Sequence, residues 1–286
     1  MSDTGDEHVI EAIGRCRVVI RDGQVVEVGP PLIQECPLAR RFAKPVVEIT
    51  REAVRENVQN RIESFGMFTR KREILSERDF VLFGASELIS CGIRQGLLDA
   101  AVLACEGAGT VLAPTPALVQ GIGGRMSGLI RTSPIPDLIA AIEAEGGMVP
   151  DPKTARIDQA EGVRFALAKG FSRIAVTIAD AKEARKIRDR FPSVLIFGVH
   201  TTGLSRDEAD LMVKAADLVT ACASKTVREA AGKVALMQAG TAIPVFALTP
   251  SGKEIILAKL RETPDSLLVK AEKLPFEGGR LPSPLI

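Results

Sequence analysis

The chain has 286 residues, with 37 Lys+Arg against 36 Asp+Glu and a formal net charge of +1, so it lacks the basic excess that nucleic-acid and anionic-membrane binders rely on. Its aromatic residues are all Phe, with Trp and Tyr absent, which leaves little from which to build base-stacking platforms. At 46% hydrophobic and 26% charged, it has the composition of a folded soluble protein.

Taken in chain order, the acidic start MSDTGDEHVIEAIG has neither the basic nor the apolar region of a secretory signal, and a cytoplasmic location is expected. Cys16 to Val28, CRVVIRDGQVVEV, reads as two strands joined at Asp22-Gly23, a strong hairpin signal because Gly tolerates positive φ. This small β element opens the chain and is expected to occupy residues 1–49. Thr50 then caps a helix with Val54, Val58, Ile62 and Phe65 on one face.

From Phe80 onward, apolar runs alternate with helical patterns: DFVLFGA, DAAVLACEG, RIAVTIA, SVLIFGVH, DLVTACA and IPVFALT are each strand candidates. Such alternation predicts an α/β fold whose parallel sheet is built from repeated βα units. The stretch from Phe80 to Glu262 is short for a (β/α)₈ barrel, so an open, Rossmann-like topology is preferred. Weak strand candidates lie near Ser127 to Arg131 and Gly147 to Val149. The expected organisation is a first α/β lobe over 50–135 and a second over 136–286, ending in a Pro/Gly-rich tail. Asp99 and Glu106 interrupt the most apolar region, so no run reaches the roughly 18 residues of a membrane helix.

In open parallel sheets, ligands sit beyond the carboxyl ends of the strands. After DAAVLA comes Cys105-Glu106-Gly107-Ala108-Gly109-Thr110. Here Gly107, Gly109 and Thr110 either form an anion nest or make a tight strand exit around a buried cysteine. After VLIFGV come His200, Thr201 and Thr202; the histidine suits acid/base or anion-binding work, and the competing reading has these groups satisfying backbone and capping a helix at Ser205. After ADLVTA comes Cys222, near Lys225 and a helix start. It is either a thiol of depressed pKa or a small buried hydrophobe. Cys105, His200, Cys222 and Lys225 are therefore the catalytic candidates, and Cys105, His200 and Cys222 are expected to gather at one sheet edge.

The segment Gln120 to Gly128 should resist regular helix, and Gly123, Gly124, Arg125 and Arg131 make either an anion-binding loop or a hinge. Five cysteines with no CxxC spacing imply neither a disulfide framework nor a zinc finger, so no metal site is expected, and the sequence leaves the identity of any cofactor open.

The segments DEHVIEAIGRCRVVIRDGQVVEVG, SELISCGIRQGLLDAAVLACEGAGTV, LVQGIGGRMSGLI, ARIDQAEGVR, FGVHTTGLS and DLVTACASKTVREAAGK together resemble the methanogenesis marker protein 8 family of methane-producing archaea. The resemblance spans nearly the whole chain and implies a process rather than a reaction: a cytoplasmic role in methanogenesis, as an accessory or cofactor-biosynthesis factor with a small-molecule or anionic ligand. The alternatives are a noncatalytic assembly factor with a protein partner, methyl-coenzyme M reductase, and a cysteine-dependent transferase or sulfur-handling enzyme. One unit, SELISCGIRQGLLDAAVLA, is also similar to the β subunit of the F420-reducing hydrogenase, whose flavin and iron–sulfur sites need cysteine clusters that this sequence does not have.

Overall fold

A computed structural model describes residues 6–286. Strands β1 (Glu7–Ala12), β2 (Cys16–Arg21) and β3 (Gln24–Val28) form an antiparallel meander. The β2–β3 turn has Asp22 at φ 49° and Gly23 at φ 70°, the two positive values that a type I′ turn requires. Helix α1 (Arg51–Phe65) starts at Thr50, whose hydroxyl accepts from the Ala53 N–H at 3.1 Å, and ends at Gly66 with φ 64°. Its Val54, Val58 and Ile62 bury against Ile10, Val18 and Ile20 of the meander.

The central layer is one open seven-stranded sheet. Helix α2 (Ala85–Arg94) leads into β4 (Ala100–Cys105), which turns back directly into β5 (Gly109–Ala113). After α3 (Pro116–Gly123), strand β6 (Gly128–Arg131) leaves this sheet and pairs antiparallel with β1. Helices α4 (Pro136–Ala144) and α5 (Gln159–Ala168) precede the run β7 (Ile174–Ile178), α6 (Ala181–Arg190), β8 (Leu195–Gly198), α7 (Arg206–Ala215), β9 (Leu218–Thr220). Helix α8 (Lys225–Gly232), strands β10 (Met237–Ala239) and β11 (Val245–Ala247), and helix α9 (Pro250–Glu262) complete the order. The sheet runs β10-β11-β9-β8-β7-β4-β5, and the smaller one β3-β2-β1-β6.

The fold is thus mixed α/β. The inner strands β4, β7, β8 and β9 are mutually parallel, while β5 and β11 run antiparallel to them and the edge strand β10 pairs antiparallel with β11. Repeated βα units are confined to the β7-to-β9 run. Apolar content marks a strand as buried but carries no information about its direction. DFVLFGA forms no strand: the Phe80 and Val81 N–H groups donate to Glu87 Oε1 at 3.1 and 3.3 Å instead. Gly147 to Val149 contributes only an isolated bridge from Met148 to Leu112. Gln120 to Gly123 is helical despite its glycines, and at Gly121 a Cβ would collide with Ile74 O, so glycine there permits close packing.

Two apolar layers sandwich the sheet. Leu88, Leu118, Leu138 and Ile255 cover one face; Val163, Ile187, Met212 and Val227 cover the other. Alternation along β4 explains both, since Ala101 and Leu103 face the first layer and Ala100 and Val102 the second.

Candidate functional site

The N-terminal sheet lies over the carboxyl ends of the parallel strands. Beyond β4, the Gly107 N–H donates to Thr132 Oγ1 at 2.7 Å, and that hydroxyl sits 2.6 Å from His8 Nδ1 on β1. Glu106 is fully buried and pairs with equally buried Arg72, Nε to Oε1 2.5 Å. Arg72 Nη2 also donates to Gly121 O at 3.0 Å. A buried carboxylate needs such partners because the interior cannot solvate it.

The glycine-rich turn is packed against its surroundings. The Thr110 N–H donates to Arg156 O at 3.0 Å, and its hydroxyl bonds Gln159 Oε1 and the Asp158 N–H at 3.0 and 2.7 Å. A Cβ at Gly109 would collide with Ala155, and one at Gly107 would lie 2.7 Å from Ile135 Cδ1. Cys105 is buried, and desolvation reinforced by Glu106 pushes its thiol well above the usual range.

Beyond the neighbouring strands β8 and β9 stand two non-glycine residues in the left-handed region, His200 at φ 52° and Cys222 at φ 45°. Thr201 Oγ1 donates to Thr220 O at 2.6 Å, and Thr202 Oγ1 accepts from the Ala223 N–H at 3.2 Å, so the two threonines clamp one strand end to the other. Burial lowers the half-buried His200 to about 4, which keeps its imidazole neutral at pH 7. A Cβ at Gly128, where β6 begins, would lie 3.6 Å from His200 Cγ.

Burial likewise pushes the Cys222 thiol up, opposite to the depressed value expected from a neighbouring cation. Lys225 is exposed, and the cation acting on Cys222 is Arg228, whose Nη2 donates to Cys222 O at 2.8 Å. His200 and Cys222 therefore share an edge on adjacent strands. Cys105 lies across β7 from β8, inside the β4–β5 hairpin.

The two loop arginines have separate partners. The Arg125 guanidinium lies 4.1 Å from the Phe65 ring centroid and pairs with Glu73 Oε2 at 2.9 Å, while Gly123 and Gly124 end and cap α3 beside it. Arg131 is exposed on β6, pairs with Glu7, and with Thr132 and Arg156 borders a surface cavity of about 290 Å³. Among the described residues, no group of three or more His, Cys, Asp or Glu side chains is placed to hold a metal ion, and no helix is long and apolar enough to cross a membrane.

Sequence reasoning passed over Arg61, Arg72 and Glu106. The signal for Arg61 was its position: three residues past Val58 and seven past Val54, it stands within the apolar stripe of α1. Arg61 Nη1 donates to Ser127 Oγ at 2.9 Å.

Residues 8–261 match a family described as an uncharacterized protein conserved in archaea, DUF2099. An uncharacterized protein of Methanocaldococcus jannaschii is 44% identical over 286 residues, covering 98% of this chain and 100% of that protein. No solved structure matches the chain.

Proposed function

The chain belongs to the archaeal family DUF2099, and from that premise we propose that it is an accessory or cofactor-biosynthesis protein of methanogenesis, of the methanogenesis marker protein 8 type. In this reading it works in the cytoplasm and binds a small molecule at the carboxyl edge of β8 and β9. The observation that carries the site is the pair His200 and Cys222, both with positive φ on adjacent strand ends. A left-handed conformation costs a non-glycine residue roughly 1 kcal/mol or more, and such costs concentrate where a side chain is held for use. The segments FGVHTTGLS and DLVTACASKTVREAAGK, which carry the family resemblance, contain both residues.

Native purification followed by mass spectrometry of retained small molecules tests this reading. A compound that stays with the wild-type protein and is lost from His200→Ala supports it; a protein that retains nothing at the edge in either form removes it. A second reading, a noncatalytic assembly factor for methyl-coenzyme M reductase, draws on the apolar run Leu267-Leu268-Val269, of which Leu268 is 92% and Val269 80% exposed. Stoichiometric recovery of a protein partner, lost on replacing these residues by Ser, favours it. The cysteine-dependent transferase is the least supported, since burial raises the Cys222 thiol.

A further inference from the structure

His8, fully buried on β1, stands between a hydroxyl and a carboxylate. Its Nδ1 lies 2.6 Å from Thr132 Oγ1, and its Nε2 lies 3.5 Å from Asp6 Oδ2 with no hydrogen-bond partner among the described residues. The Gly107 N–H donates to the same Thr132 oxygen at 2.7 Å. The hydroxyl proton then has His8 Nδ1 as its near acceptor, since Ser133 O is 3.4 Å away. With Nδ1 accepting, the ring proton sits on Nε2, on the side of the carboxylate. Burial holds the imidazole below its ordinary pKa although Asp6 and Glu106 both raise it, so at neutral pH the ring is free to take a proton. A hydroxyl, an imidazole and a carboxylate in this order turn a weak alcohol into a nucleophile.

Thr132 is 7% exposed and borders the cavity of about 290 Å³ that lies between residues 130–132 and 154–157. One turn holds both walls: Gly107 fixes Thr132, and the Thr110 N–H donates to Arg156 O at 3.0 Å. The second wall contains Ala155 at φ 50°, a left-handed conformation that a non-glycine residue keeps only where its surroundings enforce it. Gly109 packs directly against it, since a Cβ there would collide with Ala155 O. Arg131 and Arg156 also line the cavity, and both guanidinium groups are exposed. Arg131 shares the single carboxylate of Glu7 with Arg21, and Arg156 pairs with Asp158 at 3.1 Å; surface pairs of this kind give way to a ligand at little cost.

We infer that Asp6, His8 and Thr132 form an acyl-transfer site for a small ester or thioester held in this cavity, with Thr132 as nucleophile, His8 as general base and Asp6 as the positioning residue. The inference goes beyond the edge-site reading above, because it uses another cavity and none of the residues at the ends of β8 and β9. Thr132 Oγ1 bonds to the acyl carbon as its proton moves to His8 Nδ1. The bond to the leaving oxygen or sulfur breaks, and that atom takes the proton from Nδ1. Water then adds to the acyl carbon and passes a proton to Nδ1, the acyl–Oγ1 bond breaks, and Thr132 recovers the proton. The net reaction is hydrolysis to an acid and an alcohol or thiol. Arg131 and Arg156 are the cavity's cationic donors for the charge that develops on the carbonyl oxygen.

The probe is p-nitrophenyl acetate at neutral pH, followed by p-nitrophenolate release and, after acid quenching, by mass spectrometry of acetylated peptides. Acetylation of surface lysines gives the nonspecific background in the same sample. The expected result is acetyl-Thr132, or release above background, in the wild type. Thr132→Ser should retain that reactivity and Thr132→Val should lose it. His8→Gln should slow it about 100-fold or more, the usual contribution of a general base.

A wild type with neither acetyl-Thr132 nor release above background overturns the inference, as does undiminished reactivity in His8→Gln. Should His8→Gln not fold, Asp6→Asn takes its place. Asp6 raises the imidazole pKa, and Glu106 is the other carboxylate acting on it. The midpoint of the rate against pH must therefore move to lower pH in Asp6→Asn, and an unmoved midpoint overturns the relay.

Discussion

At the scale of single residues, the Arg72–Glu106 pair is the least replaceable polar contact. Both side chains are fully buried, and Arg72 also serves Gly121 O. Removing one member leaves the other charged and desolvated, so Arg72→Met should destabilise by about 3–5 kcal/mol, and adding Glu106→Leu should recover part of that loss; urea unfolding of the three variants measures both. His200 predicts a pH dependence. Its folded pKa of about 4 lies below the reference 6.5, so below pH 6.5 the unfolded chain binds the proton that the folded chain refuses. Stability is then lost as pH falls from 6.5 toward 4, by up to about 3 kcal/mol, and is flat above. His200→Gln should flatten that slope in denaturation curves taken across the range, leaving the part due to His8, which burial also lowers. Burial raises Cys16 to about 11 and Cys91 to about 12, and raises Cys105 and Cys222 too. Alkylation at neutral pH with residue-level mass spectrometry should find all four slow, with Cys222 unchanged by Lys225→Ala because Arg228 is the cation beside it.

At the scale of elements, α3 and the end of α4 show how one residue type can serve opposite purposes. Gly121 lies inside a helix, where glycine is ordinarily a cost, and is required because the Ile74 carbonyl occupies the space of a Cβ. Gly146, at φ 81°, has nothing within 4 Å of that space and is constrained by backbone conformation alone. Gly121→Ala should therefore lower stability by about 3 kcal/mol or more and Gly146→Ala by only about 1 kcal/mol, a contrast that thermal unfolding resolves. The helix α1, its Thr50 cap and the Asp22-Gly23 hairpin were legible in sequence because caps and tight turns are settled by neighbours along the chain. The Gln120–Gly123 helix was not, since the partner that makes its glycine necessary is nearly fifty residues away.

At the scale of the whole molecule, the final residues tie the two sheets' surroundings together. Ser283 forms a bridge with Glu35, with N–H to O distances of 2.7 Å from Gln34 and 3.0 Å from Ser283 itself. Ile286 exchanges hydrogen bonds of 2.9 Å with Ala223 and Lys225, beside Cys222. Removing residues 282–286 should therefore raise amide exchange at both 34–35 and 223–225 while leaving β4 and β7 protected; hydrogen exchange read by mass spectrometry checks it.

Local chemistry along the chain was enough for the α/β class, the opening hairpin, the capped α1 and the strand ends where His200 and Cys222 stand, because hydrophobic period, turn residues and caps are short-range properties. Strand direction, the transfer of β6 to the N-terminal sheet and the packing that raises the Cys222 thiol depend on which distant segments meet. So does the placement of Arg61 beside Ser127, sixty-six residues along the chain. A residue's burial and charge partners are properties of the assembled core, and only the tertiary structure decided them.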